Sequence, residues 1–161
     1  MSFDARRFRD TLGRFATGVC IVTTRGADGK PYGVTVNSFS SVSLDPPLVL
    51  FSLDRASTSF NAFMEAGHFV VNVLHREQMA LSRTFAVTSD EKFAGIAYET
   101  WDTGAPVLAG NLATLECEKV ACHDAGDHVI MVGHVRRLHS EPEGEPLLYF
   151  RGRYHNIGSH G

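Results

Sequence analysis

Two neighbouring clusters of small polar side chains could do chemistry. The stretch GVTVNSFSSVSLDPPLVLFSLD, residues 33–54, joins two apolar runs through Thr35, Asn37, Ser38, Ser41 and further serines, and SLDRASTS, 52–59, adds Ser52, Ser57, Thr58 and Ser59 beside Arg55. With period-two geometry Thr35 and Asn37 share one face of a strand, and Val34, Val36 and Ser38 share the other. Asn37 is a poor strand former and needs partners if buried. Its amide donates and accepts at once, which suits the carbonyl and ring-nitrogen edge of a planar heterocycle. The 52–59 hydroxyls fall where a helix should begin, and free amides and the helix dipole there favour an anion such as a phosphate. Each cluster also has an ordinary reading, as a polar connection or as an N-cap with solvated serines. Taken together, a phosphate site beside a polar strand edge fits flavin mononucleotide better than a catalytic triad.

Other chemistries find less support. There is no GxGxxG or GxxxxGK[ST] phosphate loop, and Gly26, Gly29 and Gly33 are spaced for a hairpin. GxSxG and HExxH are absent too, which argues against hydrolysis. Cys117, Cys122, His123 and His128 are not spaced as a standard zinc set. Trp101 reads either as a stacking surface or as an apolar plug, RTFAVTSDEKF (83–93) as a lid or a polar loop, and Lys92 as a possible phosphate partner. His134, His139, His155 and His160 have no matched partner in sequence and read as surface or strand-end residues.

The elements that must position these residues are mostly short strands. Phe8, Leu12 and Phe15 recur at helical spacing, predicting an amphipathic helix over 4–16 that ends near Gly18. VCIVTT (19–24) and PYGVTVNS (31–38) read as strands joined by a hairpin at Asp28-Gly29. Pro46 and Pro47 mark the entrance to a strand over 48–53, and a short helix capped by Ser57 or Ser59 should carry Phe60, Phe63 and Met64 and stop at Gly67. HFVVNVL (68–74) is a strand, 76–86 a second short helix, and 102–111 a turn-rich stretch. Strands over 112–122 and 129–138 flank a loop CHDAGDH, and 147–157 supplies the last strand or strand pair. Strand and helix do not alternate, so the pattern favours a closed antiparallel barrel with helical excursions over a doubly wound sheet.

The whole chain bounds the function classes. At 161 residues, 43% hydrophobic and 20% charged, with 15 basic against 18 acidic side chains for a net charge of −3, it reads as one globular domain, 1–161, with no phosphate-backbone-gripping patch. No apolar run approaches a membrane span, and MSFDARRFRD lacks a secretory core, so a cytoplasmic protein without membrane or nucleic-acid partners is expected. Cys20, Cys117 and Cys122 are expected as free thiols.

The motifs FRDTLGRFATGVCIVTT, GVTVNSFSSVSLDPPLVLFSLD, STSF, FVVNVL, GDHVIMVGHV and LLYFRGRY, in that order from Phe8 to Tyr154, resemble the flavin reductase family with an FMN-binding split barrel. That family includes the reductase components of two-component monooxygenases. The resemblance implies a mainly β fold, an FMN-binding split β-barrel with peripheral helices, assembled as a homodimer. It implies NADH or NADPH as hydride donor, FMN or FAD as acceptor, and transient transfer of reduced flavin to an oxygenase component. Carried onto this chain, Thr35, Val36, Asn37 and Ser38 resemble the strand beside the isoalloxazine, and Ser52, Leu53, Ser57 and Ser59 the contacts to the flavin chain and phosphate. Ser41 lies in the same motif, Arg83 and Phe85 resemble outlying contacts, and His128 resembles a histidine on the nicotinamide side. Hydride transfer needs no protein nucleophile, because the flavin ring is itself the acceptor. Two alternatives share the fold: an FMN-binding electron carrier of flavoredoxin type, and an oxidase of a B6 phosphate, which would need a more basic pocket.

Overall fold

The computed structural model describes residues 3–158. In chain order it contains α1 (Ala5–Leu12), β1 (Thr17–Gly18), β2 (Cys20–Arg25), β3 (Pro31–Val36), β4 (Ser40–Leu44), β5 (Pro47–Asp54), α2 (Phe60–Glu65) and β6 (His68–Val73). A 3-10 turn over Arg76–Gln78 then leads into α3 (Met79–Ala86), followed by β7 (Tyr98–Thr100), β8 (Pro106–Leu108), β9 (Ala113–Ala125), β10 (His128–Ser140), β11 (Leu148–Phe150) and β12 (Arg153–His155). His160 lies outside the described residues.

Seven strands form one antiparallel sheet in the order β3-β2-β6-β9-β10-β5-β4. The fold is therefore mainly β with helices at its periphery, but the expected closure is not made by backbone ladders. β3 and β4 are the two free edges. Near that gap Ser38 substitutes a side chain for a ladder: its Oγ accepts from Ser52 N at 2.9 Å and donates to Ser52 O at 3.3 Å. β3 and β5 approach within 8 Å, Cα to Cα.

Local chemistry explains the elements. The β2–β3 hairpin turns at Gly29, whose φ of 77° suits a residue without Cβ, and Asp28 accepts from Lys30 N at 3.0 Å. Strand alternation then sends Val22, Val34, Phe51, Leu53, Phe69, Val71, Val129 and Met131 into one core, with Phe63 of α2 lying against it. A second core forms where α3 meets the sheet, through Ile21, Leu74, Phe85, Leu108 and Leu147. Asn72 is fully buried and satisfied, donating to Ile21 O at 3.0 Å and accepting from Leu108 N at 3.0 Å and Asn111 Nδ2 at 2.8 Å. Trp101 is a plug, packed on Val70, Ala105 and Val107 with the Arg137 guanidinium 4.3 Å over its ring.

Several elements differ from the sequence expectation. The first helix ends at Leu12 instead of reaching 16, because Gly13 takes the C-cap, and none of its residues is buried. The stretch 40–44 is a strand and not a connection, while a small hairpin of β7 and β8 occupies the turn-rich region. The expected CHDAGDH loop shrinks to Gly126 and Asp127, because β9 and β10 run on as a two-stranded ribbon. Ser59 stands at the N-cap of α2, yet its side chain makes no capping hydrogen bond. Among the described residues, no helix is long and apolar enough to cross a membrane, and no cluster of three His, Cys, Asp or Glu side chains is placed to hold a metal ion.

Candidate functional site

A cavity of about 430 Å³ lies along the Ser38–Ser52 contact. β3 and its continuation supply Val34 to Ser38, β5 and the following turn supply Ser52 to Asp54 and Ala56 to Thr58, and α3 with its exit supplies Phe85 to Thr88. Lys92 and His128 complete the wall. The volume falls within the roughly 300–1,000 Å³ usual for small-molecule sites.

Each wall is held by an identifiable interaction. Thr35 Oγ1 donates to Ser82 O at 2.6 Å, so its hydroxyl fastens β3 to α3 and is not spare for a ligand. Asn37 is exposed and lines the cavity. Phe85 is buried and stacks edge-on with Phe93 at 4.9 Å between centroids. It approaches the β3 backbone at Gly33 closely enough that any Cβ there would collide with its ring. His128 Nδ1 lies 2.7 Å from Asp127 Oδ1, which fixes the ring and holds the Asp127 carboxyl below the usual carboxylate range. Lys92 Nζ donates to Gly33 O and Phe85 O, each at 3.2 Å, tying the loop after α3 to both walls, and burial lowers its pKa.

Nine of the expected residues share this cavity: Thr35, Val36, Asn37, Ser38, Ser52, Leu53, Ser57, Phe85 and His128. Three do not. Ser41 is exposed on β4, Arg83 projects outward with its guanidinium 5.7 Å over the Tyr154 ring, and Ser59 lines an adjoining cavity instead. The anion-binding argument for 52–59 also changes. Ala56 N and Ser57 N are taken by Asp54, Ser59 N by Ser57 Oγ, and Phe60 N by Ser57 O. Arg55 pairs with Asp124 and lies over Phe60. The Thr58 N–H, which has no acceptor among the described residues, and the side-chain hydroxyls therefore remain as the donors there, together with the third N–H of Lys92. Sequence reasoning raised Lys92 but gave no sign that its head would be buried. Val87 and Thr88 were raised only as part of the 83–93 stretch, read as a lid or a polar loop.

The donors fit a flavin: hydroxyls and an ammonium for a phosphate, an amide at a strand edge for the ring, and Phe85 and Leu53 as apolar floor. No nucleophile and base pair is assembled here, so the geometry is that of a binding cleft that orients what it holds. A mainly β protein with such a cleft at a sheet gap defines a ligand-orienting class, and comparison with known proteins makes it specific. The chain belongs to the family described as flavin reductase like domain, which matches residues 12–158. It is 46% identical over 151 residues to the FMN reductase (NADH) SmoA of Agrobacterium fabrum, covering 94% of this chain and 85% of that protein. It is 44% identical over 156 residues to HsaB, the reductase subunit of a flavin-dependent monooxygenase of Rhodococcus jostii, covering 97% and 80%. A solved structure of the Streptomyces globisporus NADH:FAD oxidoreductase SgcE6, in complex with NAD and FAD fragments, matches with a TM-score of 0.91 at 35% identity, covering 96% of this chain and 93% of that one.

Proposed function

We propose that this chain is an NAD(P)H:flavin oxidoreductase that passes hydride from NADH or NADPH to FMN or FAD and supplies reduced flavin to a partner oxygenase. The observation that carries this reading is the single cavity joining the Asn37 strand edge, the Ser57–Thr58 hydroxyls and His128. Bound flavin supplies the hydride acceptor. The protein's part is to bind and orient: Asn37 and the 36–38 backbone face the ring edge, Ser52 and Ser57 hold the chain and phosphate, and His128 receives the nicotinamide. Asp127 positions His128 through the Nδ1 contact. Anaerobic stopped-flow mixing of the purified protein and FMN with NADH or NADPH tests this. Flavin bleaching at a protein-dependent rate is expected. Reduction by a partner protein but by neither nicotinamide would reassign the chain as an electron carrier.

The finer architecture belongs to the same reading. One domain forms a split barrel, its gap bridged by Ser38 and Ser52, and two copies form a cytoplasmic homodimer. The exposed apolar side chains Phe8, Leu12 and Phe15 near α1, with Val42 and Leu44 on β4, support an interface. Light scattering should give twice 17.6 kDa. A monomer with full flavin affinity would remove the dimer and leave the fold.

A further inference from the structure

Beyond Lys92 a second cavity opens, of about 550 Å³. It shares Thr58 and Lys92 with the first, so the two adjoin at those side chains. Lys92 is 8% exposed. Two of its three N–H groups go to carbonyls, and among the described residues no carboxylate pairs with it. A buried cation without a counter-charge is costly, and a ligand that brings an anion to this point removes the cost.

The walls past Lys92 change character. Tyr32 and Phe93 offer aromatic surface, and Asp90 and Glu91 offer two carboxylates against one further cation, the exposed Lys30. Aromatic faces suit a flat base, and carboxylates accept hydrogen bonds from vicinal ribose hydroxyls while repelling a terminal phosphate. His128, on the expected nicotinamide side, lines only the first cavity. Resting on the flavin reading above, we propose that the second cavity takes the adenosine half of FAD, with Lys92 and Thr58 facing the pyrophosphate at the junction, so that the site prefers a dinucleotide flavin.

Fluorescence titration of the full chain with FAD, FMN and riboflavin tests this, comparing wild type with Ala94→Trp and with Ser89→Trp. Both positions are exposed on the rim of the second cavity, and an indole there intrudes on it. Wild type should bind FAD about tenfold more tightly than FMN, the smallest gain expected from a further hydrogen bond to a charged group. Both variants should bring FAD to the FMN level and leave FMN affinity unchanged. Equal affinity for FAD and FMN in wild type overturns the proposal, as do equal losses for both flavins in folded variants. A raised KM for NADH with intact FAD affinity assigns the cavity to the nicotinamide donor and overturns it too. Failure to bind all three flavins sinks the flavin reading itself, a result distinct from FMN binding without FAD preference.

Discussion

Replacing Gly33 by alanine should disturb stability and the site together. A Cβ at Gly33 would lie 2.7 and 2.8 Å from Cε1 and Cδ1 of Phe85 and 3.4 Å from Cζ of Phe93. Carbon atoms pack best at about 3.5–4.0 Å, so the Phe85 ring would have to retreat by roughly 1 Å. It has little room, being 1% exposed and packed among Ile21, Leu74 and Phe93. Overpacking of this kind costs about 1–3 kcal/mol. For a chain of this size each kcal/mol lowers Tm by about 2–4 °C, so a fall of about 2–12 °C is expected. Flavin affinity should fall as well, because Phe85 lines the cavity and the Gly33 and Phe85 carbonyls together hold Lys92. Gly67→Ala is the control: nothing lies within 4 Å of its added Cβ and its φ is not left-handed, so its effect should stay within about 0.5 kcal/mol. Thermal melts of the flavin-free proteins, followed by FMN titration well below Tm, measure both effects. If Gly33→Ala melts with wild type and binds FMN normally, close contact between β3 and α3 does not shape this wall and the reasoning fails.

Ser57→Ala should weaken FMN more than riboflavin, since a lost phosphate hydrogen bond affects only a ligand that carries the phosphate; equal losses in parallel titrations would reject the phosphate role. His128→Ala should slow flavin reduction or raise KM for the nicotinamide with FMN affinity nearly unchanged, whereas unaltered single-turnover kinetics would take His128 off the functional surface. Burial pushes the Cys20 and Cys117 thiols up to about 12 from 9.0, with the Glu116 charge adding to the Cys117 shift. From pH 9 upward the unfolded chain loses thiol protons that the native state keeps, so the thiols' contribution to stability declines as pH rises toward about 12. A Cys20→Ala, Cys117→Ala double variant should therefore show a shallower decline in urea-unfolding series above pH 9; an identical slope would contradict the burial argument.

What the sequence made legible was local or strongly patterned. Asp28-Gly29 specifies its own hairpin, and the alternation of Val34 with Thr35 places the one inward and the other toward α3. The strand 40–44 was hidden because an edge strand of exposed serines buries too little to impose a period. The extension of β9 and β10 escaped for the same reason, since Cys122 to Ala125 are exposed and polar chemistry there resembles a loop. In the site, residues near one another in sequence line one cavity, as with 35–38, 52–53 and 57. Ser41, Ser59 and Arg83 depended on register, helix phase and turn shape, which only the packed sheet determines. Lys92 depended on α3 and β3 converging over a separation of 59 residues from Gly33.

The Ser38 hydroxyl gives the binding wall a mechanical character unlike the rest of the sheet. Elsewhere neighbouring strands are zipped by successive backbone bonds, and opening them means unzipping a ladder. Here one side-chain clasp joins two backbones along the margin of the cavity. A clasp yields locally, at a cost set by one hydroxyl and not by a row of amides. For the flavin transfer proposed above, a join of this kind lies beside the ligand and can open without unzipping a ladder.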